Sequence, residues 1–374
     1  MDAFWANLRA FLKKIDLLLL LLILGATAFG VVLIASATAS YHSTSYLKVQ
    51  LVSAGIGVVL YILLSLADLD SVCHLWKYLY VVNLLLIGSL LFFGVGGDET
   101  GNRAWIRFGS IGIQPAEFGK VLFILTLSGH MYQLREELFS LKSIGLLLVH
   151  AMIPIGMVIA ISKDLGTAII YIFIFIVMLF FAGLKLRWFF GAAALGAAAT
   201  PLLWPRLNNY QKMRILVVFD PELDPLDKGY HAIQSKIALG AGGLFGRGLY
   251  RGTQTQYGYL PAKHTDFIFA VAGEELGLCG CLCIIALLST IIIHTIVIGR
   301  RSAGSASSLA CFGVAAMLIF QVIENVGMCL GLMPVIGITL PFFSYGGSSV
   351  LTMCIAAGIV SSAKMRAAPS WLSD

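Results

Sequence analysis

Apolar residues run along this chain in long uninterrupted blocks, with short polar breaks between them. Ten such blocks stand out, at about 16–36, 47–67, 76–95, 116–134, 143–161, 164–183, 186–204, 266–298, 306–333 and 343–363. Most are close to the roughly 20 residues that a helix needs to cross about 30 Å of hydrocarbon. Lipid offers the backbone no hydrogen-bond partners, so each block is expected to be helical. The eighth is too long for one straight crossing and is expected to tilt or to extend past the bilayer. The pattern predicts an all-α polytopic membrane protein of about ten transmembrane helices. One interval breaks the rhythm: 205–265 is polar and Gly-rich, and it joins the seventh and eighth blocks. Its apolar stretches, such as Ile233–Leu239, predict an ordered loop that hugs the membrane. The first block lacks a convincing cleavage site and reads as a retained span. No repeat or low-complexity tract divides the chain, so residues 1–374 are expected to form one membrane domain.

Composition fits this reading, with 59% hydrophobic and 12% charged residues among 374. The net charge of +6 does not call for nucleic acid, because Lys and Arg sit mainly in loops, where they set orientation. With the N-terminus inside, twelve basic residues fall on the inner side and five on the short outer segments, leaving eight in the long loop. Both termini are therefore expected in the cytoplasm and the long loop outside. The seven Cys lie mostly within apolar blocks without metal-ligand spacing and read as packing residues.

Four polar clusters fall on the expected outer side. The first runs from Gly101 through Arg103 and Arg107 to Gln114-Pro115-Ala116-Glu117 and Lys120. Pro115 suits the first turn of a helix, and Glu117 with Lys120 forms an i,i+3 pair. Capping does not explain three polar side chains at the head of an apolar span, where ionisable groups are costly and usually functional. The second is Ser162-Lys163-Asp164-Leu165-Gly166-Thr167, in which Ser162 suits a helix cap and Asp164 suits the positive end of the helix dipole. The third lies in the long loop: Tyr210–Arg214, Gly229–Ser235 with Gln234, then Gly240–Gly248 and Gly252–Gln256. Gly-rich backbone beside cations suits a phosphate group, while a solvated loop is the plainer reading. The fourth is Leu260-Pro261-Ala262-Lys263-His264-Thr265-Asp266, followed by Glu274 and Glu275. Thr265 suits a helix cap with Asp266 in the first turn, and the two Glu are expected to face a cavity or a partner. Before the last span, Asn325 to Ser349 carries two Pro and several Gly, so it should be broken backbone that lines a polar space.

These motifs, in this order, resemble the SEDS family (shape, elongation, division and sporulation). The stretch 325–349 follows the family signature throughout, and Gly252–Gln256 with Leu260-Pro261 looks more like the RodA branch than the FtsW branch. Ala262 departs from the Glu that many members carry there. The resemblance implies a peptidoglycan glycosyltransferase. It would polymerise lipid II on the outer face of the bacterial cytoplasmic membrane for elongation and shape, beside a class B penicillin-binding protein and other elongation-complex membrane proteins. It puts the catalytic carboxylate on Asp266. The polar set around it comprises Arg103, Glu117, Lys120, Asp164, Arg214, Gln234, Ser235, Lys263, His264, Thr265, Asn325, Ser344 and Ser348. Arg103, Lys120, Arg214 and Lys263 are the cations that could face a diphosphate. A divalent cation, Mg2+ or Mn2+, held by Asp266 and the diphosphate is an alternative to a base role for Asp266. Two rivals stand beside the polymerase: a flippase for lipid II, and a scaffold that only holds the transpeptidase. A division or sporulation polymerase of the same family is a further alternative.

Overall fold

The computed structural model describes residues 15–41, 43–96, 103–108, 111–206, 209–225, 228–302 and 304–366. Arg9, Lys13, Lys14, Gly101, Asn102 and Gly109 lie outside the described residues, as does the side chain of Arg214.

Each of the ten apolar blocks carries a helix. In chain order they are α1 (Leu17–Thr38), α2 (Ser45–Leu66), α3 (Trp76–Gly88), α4 (Pro115–Gln133), α5 (Leu141–Met157), α6 (Leu165–Phe181) and α7 (Leu186–Leu203). The long loop follows with α8 (Asn209–Phe219) and α9 (Lys228–Gly242), and then come α10 (Ile268–Arg301), α11 (Ala306–Cys329) and α12 (Gly347–Arg366). Seven helices among the described residues are long and apolar enough to cross a membrane. Of the others, α6 has 17 residues, and α4 carries Glu117 and Lys120 in its first turns. Large apolar side chains face outward along these helices, including Phe92 at 84% and Leu21 at 66% exposure. Such a belt belongs in lipid, not water. A small hairpin, β1 (Ile106–Phe108) with β2 (Ile111–Ile113), is the one departure from the all-α expectation among the described residues.

α12 runs along α2, α11 packs between α6 and α10, and α3 packs on α4. At the end nearest the termini, buried Asp16 knits four helices together. Its carboxylate meets His294 Nε2 at 2.7 Å and Lys364 Nζ at 2.8 Å. Its carbonyl accepts from the Tyr61 hydroxyl at 2.7 Å, and its N–H donates to Ser361 Oγ at 3.2 Å.

The long eighth block is broken rather than merely tilted. Gly277 takes φ 69° and ψ −163° inside α10, which frees backbone groups on both sides of the break. The Gly-rich loop satisfies them. Leu278 and Cys279 donate to the carbonyls of Gly243 and Leu244, and the carbonyls of Glu274 and Glu275 accept from Arg247 and Gly248. A Cβ on Gly277 would lie 2.4 Å from the Gly246 nitrogen, so no larger residue fits this approach.

The same loop explains Glu274 and Glu275. Glu274 accepts from the backbone of Gln254 (2.7 Å) and Thr255 (2.9 Å) and from the Thr255 hydroxyl (2.7 Å). Glu275 accepts from Ser36 Oγ at 2.6 Å and Gln256 Nε2 at 3.0 Å. The partner foreseen for these acids is thus the chain's own loop. The glycines at 242, 246 and 252 permit this packing, since a Cβ on each would strike residues 273–275. Arg247 spends its guanidinium on Ala241 O and Thr253 Oγ1. The segment is therefore a clasp on α10, with Gly242, Gly246, Gly252 and Arg247 turned to the protein. The expected order of the loop is present: α9 lies along α10.

Candidate functional site

Asp266 stands at the end of the bundle opposite Asp16, in a turn just before α10. Ala262, at φ 44°, directs its carbonyl to accept from Thr265, Asp266 and Phe267 at 3.1, 3.1 and 3.2 Å. The Thr265 hydroxyl also donates to that carbonyl, at 3.2 Å. Thr265 is therefore not a helix cap, and Asp266 is not in the first turn: α10 starts at Ile268 with Phe267 before it. The local reason is that one carbonyl gathers the N–H groups that a cap would otherwise take.

The broken stretch before α12 holds this turn in place. Buried Asn325 donates its Nδ2 to the carbonyls of Asp266 and Ile338, at 2.7 Å each. Ser344 Oγ donates to Thr265 O at 2.6 Å, and Tyr345 N donates to His264 O at 2.8 Å. Gln50 brackets the far side, with Nε2 3.3 Å from Ser344 O and Oε1 3.2 Å from Gly346 N. Gly337, at φ 76°, lies under the carboxylate, and a Cβ there would sit 3.3 Å from Asp266 Oδ2. Non-helical backbone at this depth is satisfied by side chains, as the medium requires.

Lys263 turns inward. Its ammonium donates to Ser40 Oγ at 2.7 Å and Thr255 O at 2.5 Å, and it lies 4.8 Å from the Tyr41 ring centre. Burial pushes its pKa down, against the opposing pull of Glu275 and Glu274. His264 sits among the rings of Tyr46, Tyr345 and Tyr41, with centroids at 4.9, 5.5 and 5.8 Å. Its Nδ1 is buried with no partner among the described residues. Burial, with the neighbouring charge of Lys263, lowers its pKa to about 4, so the ring is neutral near pH 7.

A second polar group adjoins the first. Asp164 caps α6 by accepting from Thr167 N at 3.0 Å and Thr167 Oγ1 at 2.8 Å, while its other role is to accept from Gln114 Nε2 at 3.1 Å. Ser162 does not cap; its hydroxyl donates back to Val158 O at 2.5 Å. Ser348 Oγ accepts from Gln114 N at 3.1 Å. Pro115 opens α4 as its type predicts, and one turn later Lys120 Nζ meets Glu117 Oε1 at 2.7 Å, both buried. Glu117 Oε2 has no partner among the described residues. Segment 336–338 joins the two groups. A Cβ on Gly166, at the start of α6, would lie 3.1 Å from Ile336 O, while Gly337 faces Asp266.

The remaining expected residues lie around this pair. Ser235 is buried and donates to Cys329 O at 2.8 Å, which ties α9 to the end of α11, with Gln234 half-buried beside it. Arg103 is exposed ahead of the hairpin and makes no hydrogen bond or ion pair among the described residues.

Sequence reasoning passed over three buried groups. Glu324, Gln321 and Asn83 each have both side-chain polar atoms without a partner among the described residues. Glu324 is 1% exposed and directly precedes Asn325, whose amide holds the Asp266 carbonyl. An uncompensated buried carboxylate is costly and rarely structural. The signal was available: Gln321 and Glu324 are polar residues in the middle of an apolar helix. Among the described residues no group of three His, Cys, Asp or Glu converges as a metal cluster.

Comparison with known proteins follows the same lines. The family model for the FtsW, RodA and SpoVE cell cycle proteins matches residues 15–368. The chain is 35% identical over 363 residues to the peptidoglycan glycosyltransferase MrdB of Escherichia coli (strain K12), covering 95% of each. It superposes with TM-score 0.80 and 29% identity on a chain of a solved peptidoglycan synthase complex that coordinates polymerization and crosslinking, covering 94% of this chain and 97% of that one. The rod shape determining protein RodA of Thermus thermophilus gives TM-score 0.71 and 27% identity, covering 95% and 98%. A match through nearly the whole chain, on a fold that gathers the family's motifs at one end of the bundle, makes this protein a member of the FtsW/RodA/SpoVE family.

Proposed function

We propose that the chain is a peptidoglycan glycosyltransferase that polymerises lipid II, with Asp266 as the carboxylate at the reacting centre. The observation that carries this reading is the clamping of Asp266 through its main chain. Asn325 holds its carbonyl, and Ser344 and Tyr345 hold its neighbours, while its side chain faces Gly337. The main-chain clamp fixes where the Asp266 carboxylate stands beside Gly337.

In the reaction, the acceptor's 4-hydroxyl gives its proton to Asp266 as its oxygen bonds to the donor's anomeric carbon. The bond from that carbon to the diphosphate oxygen breaks, and the diphosphate leaves with the electron pair. Cations preorganised at the departing oxygens lower this barrier. Arg103 and Arg214 serve that role, while Lys120, buried and paired with Glu117, supports the wall of the site. Lys263, already engaged with Ser40 and Thr255, positions the Asp266 turn instead. Glu117, Asp164, Gln234, Ser235, His264, Thr265, Asn325, Ser344 and Ser348 shape the site. Mg2+ is commonly held by one or two carboxylates plus substrate phosphates, so a cation arriving with the diphosphate would be held by Asp266 and would neutralise leaving-group charge.

The site opens on the outer side of the bacterial cytoplasmic membrane, with both termini in the cytoplasm. The polymerase works in cell elongation, paired with a class B penicillin-binding protein and other elongation-complex membrane proteins.

Asp266→Asn in the full chain tests the reading. The Asn325 contact uses a main-chain oxygen, so the variant should fold and still bind its transpeptidase, while lipid II polymerisation falls at least about 10²-fold. Polymerisation at the wild-type rate would remove Asp266 from the mechanism. A wild type that moves lipid II across liposomes but never polymerises it would replace the enzyme with a flippase.

A further inference from the structure

A cavity of about 580 Å3 opens at the end of the bundle opposite Asp266, where α4, α6, α10 and α11 terminate or begin. Its walls are apolar, formed by Met131, Leu138, Phe181, Ile296, Leu309 and Phe312. The rings of Phe181 and Phe312 stack at 3.9 Å and 3°, which gives the slot a flat wall. Phe181 and Phe139, both on its lining, are exposed, so apolar surface of the slot is open to the surroundings of the bundle.

Two arginines stand at its rim, Arg135 and Arg300. Both are exposed, and among the described residues neither forms an ion pair or a side-chain hydrogen bond. Arg135 lies 4.7 Å from the Tyr132 ring centre, an arrangement that leaves the in-plane N–H edges of a guanidinium free. α11 also starts here, capped by Ser305, and brings the positive end of a 24-residue helix to the rim. Arg135 and Tyr132 also line an adjoining cavity that includes Glu136 and Glu137, and neither acid lines the slot itself.

We propose that this cavity binds one anionic phospholipid, with an acyl chain along Phe181 and Phe312 and the phosphate between Arg135 and Arg300. An apolar slot beneath unpaired cations at a membrane edge matches that chemistry in both parts. A zwitterionic lipid fills the slot but gains less from the arginines, and a free phosphate gains the arginines but not the slot. The inference is independent of the role of Asp266, and its test does not read polymerisation.

The full chain, purified in neutral detergent, is offered equal amounts of phosphatidylglycerol and phosphatidylcholine, and retained lipid is measured by native mass spectrometry. The wild type should favour phosphatidylglycerol by about 25-fold, each of the two arginines near anionic lipid contributing roughly a fivefold gain. Arg135→Ala with Arg300→Ala, at exposed positions, should bring the ratio close to one. Leu309→Trp should narrow the slot and reduce retention of both lipids. Equal retention by the wild type, or an unchanged ratio in the double variant, would overturn the proposal. So would glycerol phosphate competing as well as the intact lipid, or a photo-crosslinker at Phe139 that captures a protein in cells instead of lipid.

Discussion

The side-chain nitrogen of Asn325 lies 2.7 Å from the main-chain oxygen of Asp266 and at the same distance from that of Ile338. One amide therefore joins the turn before α10 to the broken stretch before α12. The contact passes through backbone atoms, so this link is kept when the Asp266 side chain is changed.

Asn325→Ala should unseat that turn. It leaves two buried carbonyls without their donor, at about 1–3 kcal/mol for each unsatisfied group. Lipid II polymerisation should fall steeply while Asp266 itself is intact. A thermal melt beside the activity assay checks both parts, and an unchanged melt with full activity would separate Asn325 from the site.

Gly277→Ala should destabilise the clasp between α10 and the Gly-rich loop. The backbone sits at φ 69°, and the added Cβ would meet the Gly246 nitrogen at 2.4 Å. Strain of this kind costs on the order of 1–3 kcal/mol before the clash is counted. The variant should show faster proteolysis within 243–256 than the wild type. Equal proteolysis would mean that the loop is held elsewhere.

His264 predicts a pH dependence. Its pKa is lowered from the ordinary 6.5 to about 4, so between those values the unfolded chain binds the proton and the folded chain does not. Stability should therefore rise with pH across that window, and fall as the medium is acidified from about 6.5 toward about 4. His264→Gln should flatten that part of the profile. A melting series from pH 4 to 7 on both proteins decides it, and identical slopes would refute the assignment.

The proposed sidedness puts the Asp266 end outside and the Asp16 end, opposite to it, in the cytoplasm. In a background lacking the native cysteines, Tyr257→Cys, at an exposed loop position, should react with an impermeant maleimide on intact cells. Ser140→Cys, exposed at the other end, should react only after permeabilisation. The reverse pattern would turn the proposed site to the cytoplasm.

Much of this was legible in the chain itself. Block length and the absence of charge determined the helices, because a backbone in hydrocarbon has no other way to satisfy itself. Motif order brought Gln114, Asp164, Asp266 and Asn325 to notice, and Pro115 marked a helix start by its own geometry. What the sequence left open was which face each polar group would meet. Glu274 and Glu275 read as acids facing a cavity or a partner, and the partners lie in residues 253–256 and at Ser36, brought together only when the loop folds onto α10. Lys263 read as a cation for diphosphate, yet it points to Ser40, 223 residues away in sequence. Glu324 gave no motif signal, and its nearness to Asp266 arises from the packing of α11 against the turn before α10. Local patterns set helices and breaks because those depend on neighbours within a turn or two. The environment of a buried charge depends on distant segments, so only the tertiary structure decides it.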